Sequence, residues 1–391
     1  MKILFWLSMT GILYTYAGYP AIMWLLACFR PHRWTAGPFS PSVSIVLAVH
    51  DGAALIERKI DHLLQLDYPR IEEIIIVSDG STDGTDEILA RQTNSRLTSI
   101  ILEEHCGKAV AVNAGMAKAK ADIILFVDIR PEIAPGAIEL LVSNFADPTV
   151  GCVAGELILR NDNHDPACSV VGSVYWSYEK WIRTNESISG SPVGVYGGFY
   201  AIRRELAVPQ PVGMILDDMF EPLSIIRKGY RSVIDSRACV YDIWPRKIED
   251  EFHRKVRTLA GNFQLFYLAP WTLTPQNPAL FRLVSHKGMR LVVPYLLVFL
   301  LLSSLALTDG SFFYAALAVF QIVGWALALV ALRFKFSGLL RQLAAPASAF
   351  VVLQAAAVVG LYQFLFTPDP LWKIWALKKN PVAFTDSGNS K

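Results

Sequence analysis

The sequence predicts an α/β protein: a mostly parallel sheet flanked by helices, with one N-terminal and about three C-terminal transmembrane helices. Three observations predict it. Short β-branched runs alternate with apolar residues at helical spacing from Val43 to about Tyr241, the pattern of strands joined by crossover helices. Long apolar stretches lie before and after that region rather than within it. The composition, 53% hydrophobic and 18% charged, is too apolar for a chain held wholly in water.

Residues Ile3–Phe29 are apolar apart from a few Tyr, Ser and Thr, and Arg30, His32 and Arg33 follow directly. About 20 apolar residues suffice to span a bilayer. The run is too long for the core of a signal peptide and no small-x-small site closes it, so residues 1–30 are read as a retained anchor. The basic cluster behind it places the next domain in the cytoplasm by the positive-inside rule. Residues 31–42 form a linker, with two prolines and a glycine between Thr35 and Pro41.

Val43–Val49 is the first strand and ends in His50-Asp51-Gly52. Leu55, Ile56, Ile60, Leu63 and Leu64 then follow a helical period, which Tyr68-Pro69 ends. Ile74–Val77, four β-branched residues in a row, runs into Ser78-Asp79-Gly80-Ser81-Thr82-Asp83-Gly84-Thr85. An apolar run closed by turn residues reads as a buried parallel strand, with Asp83 or Thr85 capping the helix beyond it. Leu97–Leu102 is a third strand. Gly107-Lys108 leads into a small-residue helix, Ala109–Ala121, that carries Asn113. Asp122–Val127 is a fourth strand and stops at Asp128. Further on come a helix over Ala137–Phe145, a strand over Val150–Leu159 and an aromatic helix over Val170–Arg183 with Tyr175, Trp176, Tyr178 and Trp181. Gly197-Gly198 precede Phe199 and Arg203-Arg204, Leu216-Asp217-Asp218 opens the helix Met219–Lys228, and Tyr230–Tyr241 returns to strand character. Residues 43–248 thus make one soluble domain.

Glu249–Leu268 mixes bases with aromatics within a segment, 249–288, read as an interface region. Its helix either lies on the membrane surface or packs under the site. Leu291–Leu307, Phe312–Leu332 and Ala345–Phe366 are three more apolar runs in a membrane region of residues 289–368, before a tail of residues 369–391. Four spans would put Lys373, Lys378 and Lys379 outside, against the positive-inside rule. A re-entrant or interfacial segment therefore stays open as an alternative. No ionisable residue is expected well inside a span, which speaks against a transporter.

The net charge of +2 gives no case for a nucleic-acid partner. The five cysteines form no CxxC pair, so neither a disulfide framework nor a zinc site is indicated. Familiar phosphate motifs are missing as well. A P-loop needs glycine where Leu102 stands and Ser or Thr where Ala109 stands, and no GxGxxG follows a strand. Nucleotide binding here would rest on carboxylates, an amine and a metal. In open α/β sheets ligands bind beyond the carboxyl ends of strands, where Asp79 and Asp128 fall. Singly, each motif has a bland reading: a capped turn at Asp79, a solvated Lys108, a helix-dipole pair at Asp217-Asp218. Their order along one chain is what points to chemistry.

In that order, Val77–Thr85, Gly107-Lys108 with Asn113, Phe126–Arg130, Leu216–Asp218 and Arg254–Thr258 resemble the inverting family-2 glycosyltransferases with a GT-A fold. More narrowly they resemble the membrane-embedded branch that includes cellulose, hyaluronan and poly-N-acetylglucosamine synthases, over about residues 43–260. The resemblance implies a GT-A-like domain on the cytoplasmic face of a bacterial inner membrane. It implies inverting transfer from a nucleotide-sugar, a UDP-sugar by preference, to a lipid-linked or polysaccharide acceptor. Asp79 would meet the nucleoside, and Lys108, Asn113 and Arg257 the nucleotide and its diphosphate. Asp128 would hold a divalent cation (Mg2+ or Mn2+), and Asp218 would be the general base. Gly197, Gly198, Phe199 and Asp217 would line the acceptor site.

Three departures bear on that expectation. Arg130 stands where the second aspartate of DxD belongs, so a metal would depend on phosphate oxygens to complete its shell. Of the QxxRW motif only Arg257 agrees; Arg254 replaces Gln and Thr258 replaces Trp, which removes a stacking platform for the acceptor. His50-Asp51-Gly52 stands in place of Y-N-E. The missing tryptophan speaks against processive polymerisation, and two rival readings stand beside the main one: a processive synthase that also extrudes its polymer, and, supported by Arg130 and Thr258, a catalytically inactive scaffold in a polysaccharide assembly complex.

Overall fold

The computed structural model describes residues 1–160, 166–243, 248–333, 338–367 and 371. Its centre is one eight-stranded sheet. The strands are β1 (Val43–Val49), β2 (Ile71–Asp79), β3 (Leu97–Leu102), β4 (Ile123–Val127), β5 (Glu132–Ile133), β6 (Val150–Arg160), β7 (Phe199–Arg203) and β8 (Arg231–Ile243). They lie in the order β3-β2-β1-β4-β7-β6-β8-β5. β3, β2, β1 and β4 are mutually parallel. β7 runs antiparallel between β4 and β6, and β8 returns parallel to β6. The sheet is therefore mixed but mostly parallel, as the run of β-branched strands predicts.

Burial explains those runs. Ile74, Ile75, Ile76 and Val77 are all at 0% exposure, because helices cover both faces of a parallel sheet. Each such side chain contributes about 1.5–3 kcal/mol. Helices α3 (Ala53–Leu64), α4 (Thr85–Ala90) and α5 (Lys108–Lys118) form the crossovers, and α6 (Ala137–Ser143) precedes β6. α4 differs from the expected cap. Gly84, at φ 96°, takes the cap position, and Asp83 Oδ1 accepts from the Thr85 amide at 3.2 Å and its hydroxyl at 2.5 Å.

The remaining helices tie the sheet to the membrane region. α7 (Pro166–Ser189) runs on past Arg183, α8 (Asp217–Arg227) begins at the paired acids, and α9 (Ile248–Leu268) follows β8. α1 (Lys2–Leu13) and α2 (Tyr19–Phe29) make one rod through a π-turn at Tyr14–Gly18. α10 (Leu280–Leu283) and α11 (Met289–Leu305) do the same through Val284–Gly288, and the two π-turns meet where Tyr14 Oη lies 2.7 Å from Ser285 Oγ. α12 (Phe312–Arg333) and α13 (Gly338–Phe366) complete the set. Among the described residues, four helices are long and apolar enough to cross a membrane: Lys2–Phe29, Leu280–Leu305, Phe312–Ala331 and Ala347–Phe366. Lys373, Lys378 and Lys379 lie outside the described residues.

One helix bound differs from the sequence expectation. The helix that carries the first C-terminal apolar run begins at Leu280, not near Leu291, and so includes His286, Lys287 and Arg290. His286 and Arg290 are 1% and 6% exposed within that helix, so buried ionisable groups lie in its first eleven residues. Two acids of α7 neutralise them. Glu179 accepts from Arg290 at 2.6 Å and Lys287 at 2.5 Å, and Glu186 lies 2.8 Å from His286 Nδ1. Burial disfavours the Glu179 carboxylate, but Arg290, Lys287 and His286 outweigh it and hold its pKa well below the usual range. Tyr19 of α2 also donates to Glu186, so one buried network joins both apolar rods to α7 and the sheet domain.

Candidate active site

Because β2, β1 and β4 are parallel neighbours, their carboxyl ends bring His50-Asp51, Asp79 and Asp128 to one edge of the sheet. β7 starts beside the end of β4, with Val127 opposite Phe199. That register sets Gly197-Gly198 against the metal-motif position: the Asp128 amide donates to Gly198 O at 3.3 Å. The gap is tight. A Cβ on Gly197 would lie 3.0 Å from Asp218 Cβ, and one on Gly198 would meet the Tyr196 hydroxyl at 2.6 Å.

Asp79 is 2% exposed and its carboxylate is spent on one loop. Oδ1 accepts from the Cys106 amide at 2.7 Å, and Oδ2 from the Gly107 amide at 2.8 Å with His105 Nδ1 also at 2.8 Å. His50 stacks on His105 with centroids 3.7 Å apart. Asp79 thereby anchors the loop that launches Lys108. Gly107, at φ 94°, makes the turn that a side chain would strain.

Lys108 is the hub. Its Nζ lies 3.2 Å from Asp128 Oδ1 and 3.1 Å from Asp217 Oδ2. Burial works against the ammonium, yet Asp128 and Asp217 outweigh it and raise its pKa above the ordinary lysine value, with the Arg257 charge opposing them. Lys108, Asp128, Asp217 and Arg257 therefore form one electrostatic group, drawn from α5, β4, α8 and α9. Asp218 stands next to Asp217, and no hydrogen bond is made to its buried Oδ1. Burial, then the Asp217 charge, push its carboxyl up to about 7. A carboxylate tuned to that value is suited to take a proton near neutral pH.

Asn113 is not part of this group. Its amide nitrogen donates to Gln210 O at 2.9 Å and its oxygen accepts from the Gln210 amide at 2.8 Å, pinning the loop before α8. Arg130 is drawn to Asp242 of β8 at 3.0 Å.

Several supporting residues carry no sequence signal. Gln264 of α9 accepts from the Ile215 amide at 3.0 Å and donates to Gly213 O at 2.9 Å, holding the segment that presents Asp217 and Asp218. α9 also packs Val256 and Leu259 against Ala356 and Ala357 of α13, so it touches a C-terminal apolar helix as well as the segment that presents the paired acids. Lys59, 4% exposed, donates to Pro131 O at 2.6 Å behind the Asp128 loop. Burial pulls it down to about 8 against Asp128, Glu132 and Asp242. Asp51, at φ 51°, accepts from the Thr82 amide at 2.7 Å and knits the first loop to the second.

Does this set fit a divalent ion? Among the described residues no three His, Cys, Asp or Glu side chains converge. Asp128 is 43% exposed at its side chain, with one oxygen on Lys108, so a carboxylate oxygen is open toward solvent. The set suits an ion that shares its shell with a bound diphosphate.

Comparison with known proteins agrees with this architecture. Residues 44–208 match the family model described as Glycosyl transferase family 2. A poly-β-1,6-N-acetyl-D-glucosamine synthase of Staphylococcus aureus (strain COL) is 25% identical over 232 residues, covering 57% of this chain and 55% of that protein. The synthase of the same description from Staphylococcus epidermidis is 24% identical over 268 residues, covering 66% and 63%. The chain spans little more than half the length of the curated relatives it matches. A mannosyltransferase from Pyrobaculum calidifontis, solved in complex with GDP-Man and Mn2+, has a TM-score of 0.70 at 23% identity, covering 94% of this chain and 100% of that one. The shared fold is GT-A-like; the described residues of this chain also hold one N-terminal and three C-terminal apolar helices.

Proposed function

We propose, from the match of residues 44–208 to the glycosyltransferase family 2 model, that this integral membrane protein transfers a sugar from a nucleotide-sugar, preferably a UDP-sugar, to a growing polysaccharide or lipid-linked saccharide, with inversion. The observation that carries the reading is the group Asp128–Lys108–Asp217, with the raised Asp218 beside it. Asp218 takes the proton of the acceptor hydroxyl as it attacks the anomeric carbon in a single displacement. Asp217, held by Lys108, keeps the base's pKa high. Lys108 and Arg257 bring positive charge toward the diphosphate as it leaves. Asp79 and the His50–His105 stack shape the nucleoside end of the donor site, and Gly197, Gly198 and Phe199 border the acceptor.

A divalent ion would be held by Asp128 together with substrate phosphates and would supply charge neutralisation for the leaving group. With a single protein carboxylate it binds weakly alone. Mn2+ titrated by paramagnetic resonance is expected to bind at least tenfold tighter once UDP or GDP is added, and Asp128→Asn to abolish that gain. Equal affinity with and without nucleotide would contradict this arrangement.

The relatives' description as polysaccharide synthases favours repeated addition over a single transfer. In this reading the catalytic domain faces the cytoplasm from a bacterial inner membrane, a topology that Arg30, His32 and Arg33 behind the first helix support. Incubation of the purified chain with UDP- and GDP-sugars and saccharide acceptors tests the reading. Extended products with inverted anomeric configuration are expected. Retained configuration, or donor hydrolysis that no acceptor changes, would refute it.

A further inference from the structure

The end of α7 is held from two sides, and one of its holders belongs to an apolar rod. Arg231 of β8 donates to Ser187 O at 3.2 Å and to Gly190 O at 2.9 Å. Arg282 of α10 takes other carbonyls of the same turn and of its exit. Its Nη1 donates to Glu186 O at 2.9 Å and Ser191 O at 2.7 Å. Its Nη2 donates to Ser189 O at 2.9 Å and Ser189 Oγ at 3.2 Å. The last carbonyls of a helix have no intrahelical donor, and this guanidinium serves them. It also packs on Gly190, where a Cβ would lie 2.6 Å from it.

The chain that leaves this clamp leads to the base. Ser191, Val193 and Val195 are buried, and the Val195 amide donates to the main-chain carbonyl of Asp218 at 2.9 Å. A Cβ on Gly194 would meet Met219 Cγ at 2.9 Å, so the segment lies hard against the start of α8. A close-packed interior passes a displacement on rather than absorbing it. Charge from the same rod reaches the base as well. Burial and the Asp217 charge raise the Asp218 carboxyl, while Lys108 of α5, Lys287 of the rod and Arg183 of α7 draw it down. Tyr200 of β7 also feels the Asp218 charge.

We propose that Arg282 is a positioning residue for Asp218, acting from the apolar rod through the 189–195 segment. This rests on the reading of Asp218 as the base. Arg282 touches no reacting group; it fixes where the start of α8, and with it the carboxylate, stands. Arg231 ties the last turn of α7 to the sheet, and Arg282 ties the exit from that turn to the rod. Arginine suits the task because its planar fork serves several carbonyls at once, which an ammonium does not match. Gln264 holds the chain entering α8 from the other flank. The base is therefore set from α9 on one side and from the rod on the other.

Initial rates of the full chain in detergent, with whichever UDP- or GDP-sugar it turns over, are measured across a range of pH. Arg282→Met is expected to lower kcat at least tenfold with the donor KM within twofold. It also moves the acid limb of kcat/KM down by about half a pH unit or more, because a loosened segment lets water reach Asp218 and weakens the effect of burial. Gly190→Ala displaces the guanidinium while keeping its charge, and is expected to shift kcat and the limb the same way to a smaller degree. It carries the test if Arg282→Met fails to fold. A helix cap without this role would lower the melting temperature and leave kcat and the limb as in the parent. That result, or an equal loss in donor KM, overturns the proposal. A parent that turns over no donor, or an acid limb that survives Asp218→Asn, overturns the reading of the base instead.

Discussion

Burial and the charge of Asp217 set the behaviour of Asp218, and the signs follow from its raised pKa of about 7. A general base works deprotonated, so kcat/KM should rise about tenfold per pH unit up to about 7 and then level off. Asp218→Asn should lower kcat by about 10²–10⁴ and flatten that limb. A carboxyl whose folded pKa lies above its unfolded value weakens the fold as pH rises through the interval between them. Asp218→Asn is therefore expected to melt above the parent at pH 8, with the difference vanishing toward pH 4; thermal scans at the two pH values check this. The sequence makes Asp79, Asp128 and the paired acids legible, because each ends a strand or opens a helix. It does not reveal that Asp79 spends its carboxylate on residues 105–107, nor that Asn113 serves Gln210. Those partners are remote in sequence, and nothing local encodes them.

At the scale of elements, the parallel strands are legible because their apolar runs are long and closed by turn residues. The hidden part is what aims α8. Gln264 bonds the 213–216 segment at two main-chain atoms, each bond contributing about 1 kcal/mol. Gln264→Ala should lower kcat five- to fiftyfold while leaving the donor KM within twofold, measured by initial rates. An equal loss in donor affinity would mean that α9 shapes the donor site rather than the base. Gly80, at φ 59°, tests the other loop: a Cβ there would come within 2.2 Å of the His105 amide. Gly80→Ala is expected to push the 104–107 loop away from Asp79 and raise the donor KM by tenfold or more.

Across the whole molecule, the catalytic domain and the membrane helices are joined by buried charge. Glu179 faces Arg290, Lys287 and His286, and Glu186 faces His286 and Tyr19. The apolar run pauses at these charges, so the sequence pattern sets a boundary here; the helix continues through them with counter-ions supplied by α7. Breaking a buried pair costs about 3–5 kcal/mol. Glu179→Leu should therefore lower the melting temperature of the detergent-solubilised chain by several degrees, and Glu179→Asp by less. The central claim is that Asp218 serves as the base of a nucleotide-sugar-dependent transfer, and its most direct test is nucleoside diphosphate release by the purified chain in the presence of saccharide acceptor. Release by the parent with at least one UDP- or GDP-sugar, reduced at least a hundredfold in Asp218→Asn, is the expected result. Release from neither protein, or equal release from both, would contradict it.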